Sequence, residues 1–367
     1  MRRERLLARM GQLRSLATAA YPSFVYRTRP TPRGAVPVFV EHQLDTRAFE
    51  ECLSFLSNGG YRTITCDERL SRVNEKSATT MEIVLTFDDG FKWIYESAFP
   101  LCKKYDQRIV CFVCPGLIDD HCERDRADTS DLCTWDELSE MAASGLVDVQ
   151  CHGLRHARVW TDPAVIGFLA DESDWVVCNE RMIPARRRGG DTHADRPTPI
   201  SVGTPIHRHK PAFQAPRRFD DPACGERIMP IARRYGTDFL DDPAFYRSVA
   251  GRRAVRNTGR WITGAERSSE MFDALVKARR TLEARLSPAS GRHLAWPWWS
   301  GCAMARDAAR RVGFESVFCG PSAFTHKQAR SANRMEVPRL SLDWHQRLPG
   351  PSRVALWEIA LRKLRGR

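Results

Sequence analysis

No stretch of about 18 apolar residues occurs in this 367-residue chain, which excludes a membrane-spanning helix. The first thirty residues also lack an apolar core of signal-peptide length, because Arg or a polar group interrupts MRRERLLARMGQLRSLATAAYPS every two or three positions. A cytoplasmic location is therefore the expectation. Internal repeats and low-complexity tracts are missing. With hydrophobic residues at 42% and charged residues at 28%, that excludes a collagen-like or wholly disordered chain and supports a packed core. The length suits one large domain with insertions or two ordinary ones. A disulfide framework is not expected either, despite twelve cysteines. Cys66, Cys102, Cys111, Cys114, Cys151 and Cys319 lie in or beside apolar runs, where a reduced thiol behaves as a small hydrophobe. The Cys111–Cys114 spacing suits a redox or zinc pair, yet it falls inside an apolar strand pattern, IVCFVC, and the rest of a zinc motif is missing.

Acidic residues are scarce at the two ends. Residues 1–33 hold eight Arg against Glu4, a net +7, and residues 352–367 add +4, so the ends carry nearly all of the chain's +12. The middle is close to neutral, and no nucleic-acid partner is expected, since a grip through the folded body needs basic residues clustered there. Both ends are amphipathic as well as basic: Leu6, Leu7, Met10 and Leu13 at one, and Val354, Leu356, Trp357, Ala360, Leu361 and Leu364 at the other. Such segments can lie on an anionic membrane surface, giving peripheral contact with its inner face. Solvated tails and a packed terminal helix fit the same pattern.

Three textures follow along the chain. Residues 34–157 alternate strand and helix patterns: VPVFVEH, a helix over 49–56 closed by Gly59-Gly60, YRTIT, MEIVLTF, a helix near 93–105, RIVCFVC, a Thr134-capped helix closing on Gly145, and LVDVQC. Strand–helix–strand repetition with nearly continuous apolar strands predicts an α/β fold with a parallel sheet or barrel. Residues 158–269 are rich in Arg and Pro, with seven prolines between 197 and 230, and read as a long insertion of loops and short helices. From about 270 the alternation resumes with EMFDALVKARRTLEARL, HLAWP, CAMARDAARRVGF and ESVFCG.

Three polar motifs each begin where a predicted strand ends: Leu85-Thr-Phe-Asp-Asp-Gly90, Gln150-Cys-His-Gly-Leu-Arg-His156 and Leu294-Ala-Trp-Pro-Trp-Trp-Ser-Gly301. In a parallel barrel all strand carboxyl ends share one rim, so these motifs converge. His152 and His156, four apart, would present both imidazoles on one face of a helical turn and, with a carboxylate, make a three-ligand metal site. Adjacent Asp88 and Asp89 at the end of a buried strand are costly unless a cation compensates them. One could bind metal while the other stays free as a base.

TFDDG followed by HxxxH, the WDELxxMxxSGL lead-in and Trp296-Pro297-Trp298 with its following helix and Gly-Phe resemble the motifs of the NodB-type polysaccharide deacetylases, carbohydrate esterase family 4. The similarity covers about 37–157 and 270–340, half of the chain. It implies a distorted (β/α)7 barrel of that type, carrying a long loop-rich insertion. The organisation becomes a basic segment over 1–33, a barrel over 34–157 and 270–345, the insertion over 158–269, and a basic amphipathic helix over 346–367. It also implies metal-dependent hydrolysis of an N-acetyl or related N-acyl group on a sugar or envelope-glycan precursor. Carried over, Asp89, His152 and His156 would hold a divalent metal, Zn²⁺ by preference. Asp88 would be the base, and the backbone N–H of Trp298 the oxyanion donor. Trp296 and Pro297 would line the sugar site, and Arg217, with Arg218 and Arg186–Arg188, could meet an anionic group on the substrate. The third motif lacks the family's Arg, with His293 the nearest polar residue upstream, and no clear match exists for the late acid His; His345, His207, His209 or water remain open. A non-sugar amide substrate and a non-catalytic glycan-binding or assembly role are the alternatives.

Overall fold

The computed structural model describes residues 21–28, 31–32, 35–73, 79–118, 132–168, 205–219, 221–235, 239, 242–256, 258–320 and 335–365. Its centre is a nine-stranded sheet in which every pairing is parallel. In chain order the strands are β1 (Val38–Glu41), β2 (Arg62–Thr63), β3 (Glu82–Asp88), β4 (Ile109–Val113) and β5 (Val147–Cys151). After the insertion come β10 (His293–Ala295), β11 (Ser316–Cys319), β12 (Glu336–Pro338) and β13 (Leu340–Ser341). The last two flank a single residue, Arg339. β12 pairs with β11 on one side and β13 with β1 on the other, so this one run of chain bends at Arg339 and joins the two edges of the sheet. With β2 a side strand on β3, eight strands follow one another around the barrel, or seven with the bent β12–β13 run counted once, a barrel of the type the resemblance implies.

Period-2 alternation sorts the side chains. Ile83, Leu85 and Phe87 of β3 face outward into the main core beneath the helices, and Val84 joins Val38, Val110, Phe112, Ala295, Phe318 and Val337 inside. Strands covered on both faces need apolar residues at nearly every position, which is why MEIVLTF and RIVCFVC read as continuous runs. The surrounding helices are the ones the sequence indicates, though α2 and α9 start several residues earlier than their apolar patterns. α2 (Thr46–Asn58) is capped by Asp45, whose Oδ1 accepts from the Arg47 and Ala48 N–H groups, and buries Phe49, Cys52, Leu53 and Leu56. Thr134 and Glu137 form a reciprocal capping box at α5 (Trp135–Ala143). Thr263 and Glu266 do the same for the 22-residue α9 (Gly264–Arg285). All ten described cysteines are free thiols, nine of them buried, and burial pushes Cys52, Cys102 and Cys151 up to about 12. They are core packing.

The stretch between β5 and α9 holds more regular structure than its composition suggests. β6 (Arg158–Phe168) and β7 (Pro205–Pro211) pair antiparallel, as do the short β8 (Arg218–Phe219) and β9 (Arg260–Trp261). α6 (Pro222–Tyr235), α7 (Pro243–Arg247) and α8 (Val249–Ala254) enclose a small core of Cys224, Ile228 and Ala254. Prolines hid these elements. Pro163 lies where the β6 register shifts between Trp160 and Val165, and Pro230 sits inside α6. Arg186–Arg188 lie outside the described residues. The turn after β7 packs back on the barrel: the Phe213 carbonyl accepts from Cys302 N–H at 2.7 Å, and its ring lies 5.2 Å from that of Trp296.

Candidate metal centre and active site

Strand β3 delivers two carboxylates to the rim in different ways. Asp88 continues the inward series Val84–Thr86 and is 3% exposed. Asp89 leaves the strand at φ 74°, a left-handed conformation rare outside glycine, which turns its side chain across the rim. Gly90 follows at φ 74°, and a Cβ there would meet Val113 Cγ1 at 2.8 Å, so only glycine fits.

Three groups meet beside Asp89. His152 Nε2 and His156 Nε2 each lie 3.6 Å from Asp89 Oδ1, and the ligand atoms of all three residues fall within 4.8 Å of one another, all buried. The pair does not sit on a helical turn as the i, i+4 spacing suggests. His152 extends β5, and the chain then reverses through a bend with Gly153 at φ 79°. His152 Nδ1 lies 3.0 Å from the Ala295 carbonyl and donates to it, which leaves Nε2 as the lone-pair nitrogen. That Nε2 is buried with no hydrogen-bond partner. Burial lowers the His152 pKa, keeping the ring neutral, although Asp88 and Asp89 pull the other way. An orphaned imidazole lone pair aimed at a shared carboxylate oxygen is the donor set a divalent cation satisfies. The residues fit a metal.

Asp88 has a partner that motif reading missed. Arg339, fully buried at the bend between β12 and β13, holds it bidentately, Nη1 to Oδ1 at 2.7 Å and Nη2 to Oδ2 at 2.8 Å. Nη1 also reaches Thr86 Oγ1 at 3.2 Å. Burial alone would raise the carboxyl's pKa, but the bidentate Arg339 guanidinium outweighs it and holds it at about 2, so it stays ionised. The Arg absent from the third motif is thus supplied by a different strand. His293 cannot replace it: it opens β10 at the opposite rim, with Nε2 2.8 Å from Asp67 Oδ1. Asp67, His293 and Glu315 form a second cluster there, but Arg292 donates to both carboxylates at 2.8 Å, and that charge makes the cluster a salt-bridge network rather than a metal site.

His42 is the second residue the motifs did not reveal. Two positions beyond Val40 on the inward series of β1, it lies within electrostatic reach of Asp88 and Asp89, with its ring 6.3 Å from that of Trp299. Burial lowers its pKa, but Glu41, Asp88 and Asp89 outweigh that and raise it above the ordinary imidazole value. Period-2 alternation through VPVFVEH is the signal that could have placed it.

The third motif separates into core and rim. Trp296 is 1% exposed and packs under Gly301 and against Phe213, and Pro297 is buried beside it. Neither offers a face to a sugar, because both fill the space between the barrel and the turn after β7. Trp298 and Trp299 instead occupy the rim at φ 59° and 75°. The Trp298 ring lies 4.7 Å from that of His156, with the Arg158 guanidinium 4.3 Å from its own centroid. Its carbonyl accepts from Gln214 Nε2 at 3.1 Å. Trp299 lies over Gly320, where a Cβ would come within 2.5 Å of its ring. Arg217 stacks on Phe219 at 4.8 Å, and Arg218 is buried with Nη1 on the Phe219 carbonyl, so both serve the β8–β9 packing. His345 packs against Phe55 of the last turn of α2 and bonds the Leu342 carbonyl, and His207 and His209 contact Trp160.

Residues 75–173, which contain Asp88, Asp89, His152 and His156, match the family model for polysaccharide deacetylase. Over that stretch the chain is similar to the NodB-type polysaccharide deacetylases. That family comprises hydrolases of carbon–nitrogen bonds other than peptide bonds. The chain is 25% identical over 133 residues to YxkH of Bacillus subtilis, a polysaccharide deacetylase-type protein, covering 34% of this chain and 44% of that one. It is 25% identical over 114 residues to the poly-beta-1,6-N-acetyl-D-glucosamine N-deacetylase of Escherichia coli K12, covering 29% and 17%. The chain therefore spans less than half the length of these relatives. The fold is shared with the BpsB deacetylase domain from Bordetella bronchiseptica at TM-score 0.51 and 16% identity, over 85% of this chain and 97% of that one. A de-N-acetylase from Aggregatibacter actinomycetemcomitans matches at TM-score 0.50 and 15% identity, over 88% and 96%. Among the described residues no helix is long and apolar enough to cross a membrane.

Proposed function

We propose that this protein is a metal-dependent deacetylase that removes an N-acetyl or related N-acyl group from an amino sugar in a glycan or glycan precursor. The observation that carries the reading is the meeting of Asp89, His152 and His156 around one point with ionised Asp88 beside them. These three residues would hold the divalent metal, and one carboxylate with two imidazoles suits Zn²⁺ among the common ions. When bound, it supplies Lewis acidity toward an amide oxygen and acidity to a coordinated water.

The chain's own groups do the rest. Asp88, fixed by the Arg339 fork, accepts the proton of the attacking water, while the fork stops the carboxylate from turning away. The Trp298 N–H donates to the oxygen that becomes negative as the carbonyl carbon turns tetrahedral. The left-handed backbone at Trp298 sets the turn, and Gln214 Nε2 holds the peptide that follows through the Trp298 carbonyl. His42, its pKa raised by Glu41 and the two aspartates, holds the proton the leaving amine needs. The indole of Trp298 offers a sugar face at the rim.

The test is acetate release from a panel of N-acetylated amino sugars and oligosaccharides. Release is expected from at least one, is abolished by chelation, and falls by roughly 10³-fold or more in Asp88→Asn. Release that survives both Asp88→Asn and chelation overturns the reading.

A further inference from the structure

The first described residues and the last stretch of the chain, more than 300 residues apart in sequence, meet at one place on the molecule. The first described residues form a single helical turn, α1 (Ser23–Tyr26), which packs on the turn over Leu342–Arg347. Arg347 Nε donates to the Val25 carbonyl and Arg353 Nη2 to the Phe24 carbonyl, each at 2.8 Å, and the Tyr21 ring lies 5.2 Å from that of Trp344. From the same place leaves the last helix, α11 (Leu356–Arg365). Residue 21, where residues 1–20 join, is thereby tied beside the start of α11.

Helix α11 buries Ile359 and turns Trp357 and Leu361 outward, 67% and 36% exposed. Four residues apart, these two share one face, with Arg362 exposed next to Leu361. Trp357 is among the most exposed large hydrophobics of the described residues, and a bare indole beside a leucine marks a contact surface. From the sequence, residues 1–20 carry Arg2, Arg3, Arg5, Arg9 and Arg14 against Glu4, with Leu6, Leu7, Met10 and Leu13 at helical spacing. Residues 356–367 carry Arg362, Lys363, Arg365 and Arg367 against Glu358. A second cationic segment is a poor cover for the apolar face of a cationic helix, because like charges repel. A surface that is negative and has an apolar interior answers both at once, and a tryptophan at its boundary is the usual anchor.

We propose that the Trp357–Leu361 face of α11, with Arg362 beside it, is a docking surface for an anionic lipid bilayer. The apolar pair in its middle favours lipid over nucleic acid, whose grip needs only phosphate contacts. The tests use the full chain and vesicle flotation. Binding is expected to phosphatidylcholine vesicles containing about one third phosphatidylglycerol and not to pure phosphatidylcholine, and to weaken steeply at about 0.5 M salt. Trp357→Ser/Leu361→Ser is expected to lose roughly tenfold in partitioning, with an unchanged melting temperature because both side chains face solvent. Arg362→Glu, which leaves the apolar pair intact, is expected to weaken binding to the same anionic vesicles. Failure to float with anionic vesicles, unaltered flotation by the double variant, or a preference for a DNA duplex over vesicles each overturns the proposal.

Discussion

Asp88 is an ionised carboxylate inside a barrel, and everything about it depends on Arg339. Removing the guanidinium leaves a buried charge without a partner, so Arg339→Gln is expected to cost about 3–5 kcal/mol of stability, read as a fall in melting temperature. The same change lets burial raise the Asp88 pKa from its value of about 2, so the acid limb of the rate profile moves to higher pH, checked by kcat/KM against pH. The pair also sets acid stability. Its carboxyl is more acidic folded than unfolded, so the stabilisation is complete above the ordinary aspartate range and drains away as pH falls through about 2. At the other end of the profile, the proposed donor role of His42 requires it to be protonated. Its raised pKa extends activity to higher pH, and Glu41→Gln, which removes one of the groups raising it, is expected to bring the alkaline limb down. The aspartate pair and the two histidines were legible because each stands in a short motif at a strand end. Arg339 and His42 were not, since each is a lone residue whose meaning comes from which strand lies next to β3, and strand order is not written in local sequence.

Elements act through tight backbone approaches. Gly90→Ala would force a left-handed alanine at a cost of about 1–2 kcal/mol and drive its methyl into Val113. Since Gly90 follows Asp89 directly, metal affinity is expected to fall along with the melting temperature, and titration of the variant with Zn²⁺ checks both. Gly320→Ala pushes Trp299 off β11 and should lower kcat more than it lowers stability, because the displaced turn carries Trp298. The turn after β7 reaches this loop too, through Phe213 and Gln214, so part of the insertion buttresses the site. Barrel strands and capped helices could be read from the sequence because local pattern and tertiary role agree there. The β6–β7 ladder and α6 could not, since Pro163 and Pro230 break the local pattern while pairing and packing override it. The HxxxH spacing misled in the same way, as Gly153 and the Ala295 carbonyl, not a helical turn, aim the first ring.

At the scale of the whole molecule, the barrel closes at its candidate active site. The run containing β12 and β13 joins both sheet edges, and its bend residue reaches Asp88, the proposed base on β3, so fold closure and the positioning of that carboxylate are one event. Partial unfolding of that run is therefore expected to abolish activity before the rest of the barrel melts, a comparison that hydrogen exchange at 336–341 and residual deacetylation in mild denaturant can make. The central claim is that three side chains from two strand ends hold one cation. Metal content of the purified protein, compared with that of Asp89→Ala and His152→Ala at equal foldedness, tests it most directly. The account predicts about one divalent ion per wild-type chain, removable by chelator, and essentially none in either variant. Variants that retain the wild-type metal content would contradict it.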